Sequence, residues 1–281
     1  PMFSGADLAA LVNEAAIQAT MSNKDHVEQA DLEEARDKVR WGRARKSRVI
    51  DDREKEMTAY HEAGHALVKV LTPESDPLHK VSIIPRGPAG GATFALPEKD
   101  RYLHTRKWCE AEIRVMVAGR IAEQRFCGDV DSGASSDIAA ATEISRRMVM
   151  DWGMSEKLGF VRYAPQPGQG GFPDLKKEYS EKTAETIDAE VKAIMDRAYQ
   201  ETEELIRANE DKVKRIAENL LKYETLEAAD VRKIMDGEDI DRPTMDDLLA
   251  REASRDKKPS GAPVESPPLD TPDIGPIPEP G

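Results

Sequence analysis

Residues 58–70 read TAYHEAGHALVKV. On a helix, positions four apart are neighbours on one face, so His61 and His65 can both aim a ring nitrogen at one point. A zinc ion takes imidazole nitrogen at about 2.0–2.1 Å, a distance this spacing allows. Glu62 stands about 100° further round the helix. It cannot share the histidines' direction, but it lies beside the metal, where a carboxylate can accept a proton from a water whose pKa the metal has lowered to about 7. Gly64 costs a helix up to about 1 kcal/mol relative to alanine. It is expected to make room for a closely packed backbone or for a substrate. The apolar ALVKVL that follows is suited to burying the helix, and the whole element is predicted from about Asp52 to Leu71, with Pro73 ending it.

The longer pattern, in which a glycine and a third histidine follow on the same helix, is absent: Val68 and Leu71 hold those places. A third ligand must come from elsewhere. Glu112 and Glu123 lie on the next predicted helix, His104 to Gln124. Asp137 lies in SGASSDIAAATEI, where small residues lead into a helix. The positive end of that helix would keep an aspartate ionised, as a ligand must be. Spacing does not choose among these three carboxylates. His79 and His104 read as ordinary polar residues.

Around this centre the chain is predominantly helical. Ser4 followed by Asp7 marks a helix start, and Leu8, Leu11, Val12, Ala15, Ala16 and Ala19 recur at helical spacing. A second helix is predicted from Glu28 to Val39, and further ones over Asp137–Trp152 and about Glu178–Arg232. KVSIIP and ATFALP, separated by RGPAGG, read as one small hairpin at 79–96. APQPGQGGFP reads as a loop, and the proline-rich segment from Lys258 as disorder.

The 281 residues carry a formal net charge of −13, and 5% of them are aromatic. This balance argues against a dedicated nucleic-acid binder, which needs a basic face. The basic run RDKVRWGRARKSR at 36–48 accordingly reads as a linker or subunit contact. Two cysteines, Cys109 and Cys127, are too few for a disulfide scaffold. They fit a reducing, cytoplasm-facing compartment. There is no apolar run of about 18 residues that could span a membrane. The chain opens at Pro1 and goes straight into MFSGADLAALVNEAA, which reads as the middle of a domain. A piece of a longer protein is expected, with any membrane anchor upstream.

SRVIDDREKEMTAYHEAGHALV, DPLHKVSIIPRGPAGGATFALPEKD, AGRIAEQ and SGASSDIAAATEISRRMVMDWGMSEKLG together resemble the protease part of the FtsH family. These are membrane-anchored, ATP-dependent AAA+ zinc metalloproteases. SGADLAALVNEAAIQAT resembles the end of that family's AAA+ lid, and the likeness covers about residues 4–235. The resemblance implies a mainly α fold: the last helices of an AAA+ lid and a basic linker (1–46) and a helical zinc metalloprotease domain with a small β-hairpin (47–235); the tail at 236–281, which loses apolar density and turns proline-rich, is read from composition alone. The resemblance implies Zn2+ held by His61, His65 and Asp137, with Glu62 as the catalytic carboxylate. It further implies a homo-hexamer at the inner membrane, this portion on the cytoplasmic side, acting on unfolded or membrane polypeptides. The hairpin edge would hold an extended peptide by main-chain hydrogen bonds. No G-x-x-x-x-G-K-[ST] loop is present, so ATP and Mg2+ are expected to act only in the full-length protein. A competing reading from another class is a helical ring-assembly module whose metal is structural or absent.

Overall fold

The computed structural model describes residues 3–44, 50–86, 90–97, 102–164 and 179–243. The end of the basic run, the tip of RGPAGG, nearly all of APQPGQGGFP and the proline-rich segment lie outside the described residues. The chain divides into two compact units, Pro1–Arg242 and Pro243–Gly281.

Its order is α1 (Gly5–Met21), α2 (Gln29–Trp41), α3 (Asp52–Leu71), β1 (Leu78–Ser82), β2 (Ala92–Ala95), α4 (Arg106–Ala122), a π-helical turn (Glu123–Cys127), α5 (Ser135–Met150), α6 (Glu181–Arg207), α7 (Glu210–Tyr223), β3 (Thr225–Glu227) and α8 (Ala228–Asp236). The fold is mainly α with one small antiparallel sheet. The Ser4 hydroxyl and the Asp7 side chain cap the start of α1 reciprocally, as their spacing predicts. In α1, however, only Ala15 and Ala19 are buried, while Leu8 and Val12 of the apolar pattern are 53% and 61% exposed. The pattern is longer than the face α2 covers.

α3 is the hub. The Asp51 side chain accepts the Arg53 N–H at its start, and every residue from Glu62 to Lys69 is buried. Ala59, Ala63, Ala66, Leu67 and Val68 pack with Val117, Ala118 and Ile121 of α4 and with Val213, Ile216, Ala217 and Leu220 of α7. Full burial of a side chain such as Leu67 contributes about 1.5–3 kcal/mol. The helix is therefore held on several sides, and its histidines sit on a fixed frame. Gly64 serves the packing. A Cβ there would lie 2.6 Å from the Ala118 carbonyl oxygen and 2.8 Å from Ala122 Cβ. The close approach is to the α4 backbone.

The predicted hairpin is two strands of a three-stranded sheet ordered β2-β1-β3. β1 pairs with β2 through Val81–Thr93 and Ser82–Ala92, and with β3 through Val81–Leu226. β2 is an edge strand on the side of α3 that carries Glu62, where the Thr93 hydroxyl donates to the Glu62 carboxylate.

Candidate metal centre

α3 and α4 run side by side in opposite directions, and their contacts fix both histidines. His61 Nδ1 donates to Glu123 Oε1 at 2.5 Å, and His65 Nδ1 donates to the Val115 carbonyl oxygen at 2.6 Å. With both Nδ1 atoms committed, each Nε2 presents a lone pair. The two Nε2 atoms face each other at 2.9 Å. Two acceptors so close require a proton or a cation between them.

Asp137, in the first turn of α5, completes the group: its Oδ2 is 3.3 Å from His61 Nε2 and 3.4 Å from His65 Nε2. The three donor atoms lie within 4.8 Å of one another, and among the described residues no other such group forms. Ligands about 2.0–2.1 Å from a tetrahedral zinc stand about 3.3 Å apart. The triangle has that size, and the two-histidine, one-carboxylate donor set suits zinc and leaves a fourth position open.

Electrostatics agree with the geometry. Burial opposes protonation of His61, but its bonds to Asp137 and Glu123 outweigh burial and raise its pKa to about 10. Burial also pushes the Asp137 carboxyl up, and the bonds to His61 and His65 override it, holding the group well below the usual carboxylate range. These four side chains hold a charge balance that a divalent cation can enter by displacing a proton. Glu62 is 5% exposed, and its carboxyl is raised by burial against the opposing pull of His61, His65 and the Thr93 hydroxyl, which donates to Oε2 at 2.6 Å. A Cβ on Gly91 would lie 2.9 Å from Glu62 Oε1, so the strand edge passes directly against this carboxylate.

The remaining sequence candidates fall elsewhere. Glu123 is 1% exposed and stands behind His61, on the nitrogen that faces away from the group. Its other oxygen is 3.5 Å from the Asp131 N–H, at the start of the loop that leads to Asp137. Glu112 binds Lys69 and the Asp76 N–H. His79 is held by Arg36 at 2.7 Å, and the exposed His104 stacks on Trp108. Sequence reasoning missed Gly119, where a Cβ would lie 2.6 Å from His61 Nε2. Its signal was a second glycine in a helix, in the AGRIAEQ stretch.

Comparison with known proteins identifies the family. The model of peptidase family M41 matches residues 48–234, and that of the AAA+ lid domain matches residues 1–34. The chain is 50% identical over 238 residues to "ATP-dependent zinc metalloprotease FtsH 2" of Methylacidiphilum infernorum, covering 84% of this chain and 37% of that protein. It is 45% identical over 239 residues to "ATP-dependent zinc metalloprotease FtsH" of Rubrobacter xylanophilus, with the same two coverages. The FtsH of Haemophilus influenzae is 42% identical over 274 residues, 93% of this chain and 43% of that protein. The chain thus spans less than half the length of these curated relatives. The family model covers well over half of the chain, which therefore belongs to peptidase family M41.

Proposed function

We propose that the chain is a zinc-dependent endopeptidase, with His61, His65 and Asp137 as metal ligands and Glu62 as the catalytic carboxylate. The observation that carries this is the triangle of His61 Nε2, His65 Nε2 and Asp137 Oδ2, whose edges are 2.9–3.4 Å. Zinc bound there would supply a Lewis acid and lower the pKa of a coordinated water to about 7. Glu123 and the Val115 carbonyl keep the two imidazoles in the orientation that points Nε2 inward. Glu62, on the cleft side, takes the proton of the attacking water and passes it to the leaving amine. Burial raises its carboxyl, which suits a group that must both accept and return a proton near neutral pH.

The substrate is an extended polypeptide lying along the edge strand β2, held by main-chain hydrogen bonds that tolerate many side chains. Residues 47–235 form the protease domain and residues 1–46 the end of an AAA+ lid and its linker. Within the described residues no helix is long and apolar enough to cross a membrane. In the full-length protein this portion works as part of a membrane-anchored, ATP-driven homo-hexamer on the cytoplasmic side. The base beside the site speaks against a purely structural assembly module. Glu62→Gln tests the reading: the variant should keep about one zinc per chain and lose cleavage of casein. Full activity in that variant would remove Glu62 from the mechanism.

A further inference from the structure

Lys69 continues the line of His61 and His65 along α3, one turn and about 6 Å further on. The facing side of α4 runs in step, presenting Glu112 to Lys69, Val115 to His65 and Gly119 to His61. Lys69 and Glu112 line the same cleft as the metal group, a cavity of about 680 Å3. Their side chains are 4% and 11% exposed. A buried ion pair in a cleft wall is costly unless its groups are well satisfied, and neither residue has a part in the zinc site or the proton transfer.

The two partners are unequally satisfied. Glu112 receives Lys69 Nζ on both oxygens, at 3.3 and 3.4 Å, and the Asp76 N–H on Oε1 at 2.8 Å. Lysine has three N–H donors and no acceptor. Among the described residues, Nζ has only this one carboxylate, at long distance, so donor capacity is left over on a residue that lines the cleft. The cleft lining also includes the apolar Val115, Met116 and Ala95.

We propose that Lys69 and Glu112 floor a side-chain subsite of the peptide cleft that selects residues with a neutral acceptor: the amides of Asn and Gln or the hydroxyls of Ser and Thr. The inference rests on the peptidase reading above. An amide or hydroxyl oxygen takes the remaining Lys69 N–H without adding charge. An aliphatic or aromatic side chain would bury that donor with nothing to bond. An acidic side chain would face Glu112, and a basic one would face Lys69 with Glu112 already filled.

The test is a peptide series cleaved by the zinc-loaded whole chain, varied over three positions on each side of the scissile bond and read by mass spectrometry. At one of those positions Gln should be preferred over Leu by about tenfold or more in kcat/KM. The double variant Lys69→Met/Glu112→Leu removes both charges together, and its preference there should invert toward Leu. Equal cleavage of Gln and Leu peptides by the wild-type chain at every position would overturn the subsite alone, whether or not the variant folds. An unchanged preference in a folded, zinc-loaded double variant would also overturn it. No cleavage of any peptide by the zinc-loaded wild-type chain would overturn the peptidase reading and the subsite with it.

Discussion

Glu123 touches no point of the donor triangle, yet it should set how tightly the metal is held. Its carboxylate accepts from His61 Nδ1 at 2.5 Å in a site where Glu123 is 1% exposed. A charge-assisted hydrogen bond contributes about 1.5–3 kcal/mol and a neutral one about 0.5–1.5 kcal/mol. Glu123→Gln keeps an acceptor and loses the charge, so zinc affinity should fall by roughly 1 kcal/mol, about fivefold. Glu123→Ala removes the acceptor, frees the His61 ring to turn and unties the Asp131 loop. Losses of this kind at a metal site are about 10–100-fold, equivalent to about 1.4–2.7 kcal/mol. Competition with a chromophoric zinc chelator at fixed pH measures both values. Circular dichroism of the zinc-saturated variants establishes that they are folded. The order wild type, Gln, Ala is the expected result. Equal affinity in wild type and Glu123→Ala would refute the claim that His61 is oriented from behind.

Thr93→Val removes the hydroxyl that lowers the Glu62 carboxyl. The Glu62 pKa should rise, and the acid limb of the kcat/KM pH profile should move to higher pH. Gly64→Ala places a methyl 2.6 Å from the Ala118 carbonyl oxygen. Thermal melts should show destabilisation of about 1–3 kcal/mol from overpacking. In the metal-free protein, His61 has a folded pKa of about 10 against the ordinary histidine value of 6.5. Its stabilising contribution is complete below about pH 6.5 and is lost as pH rises through about 10. The metal-free Tm should therefore fall over that window, and zinc-loaded protein should not show this fall, because the metal replaces the proton.

The fold was legible wherever one helix carried its own signal. The bounds of α3 follow from Asp51, the apolar ALVKVL and Pro73, and the start of α1 follows from Ser4 and Asp7. β3 was not legible. It is a three-residue strand, Thr225–Glu227, between two amphipathic helices, too short to display an alternation of its own. At the site, the two histidines and Glu62 could be read from one turn of one helix. The roles of Glu112, Glu123 and Asp137 could not, because they depend on how α4 and α5 cross α3. The α4 crossing is set by backbone proximity at Gly64, a property that no local spacing encodes. Gly119 was hidden for the same reason: its missing side chain matters to a ring 58 positions earlier in the chain, at His61.

The central claim is that one metal ion sits on His61, His65 and Asp137. Anomalous X-ray diffraction at the zinc edge, on crystals of the zinc-loaded chain, tests it most directly. One peak is predicted, about 2.0–2.2 Å from His61 Nε2, His65 Nε2 and an Asp137 oxygen, with Glu123 bonded to the far side of His61. A peak coordinated by Glu123 or Glu112 in place of Asp137, or no peak between the two histidines, would contradict the account.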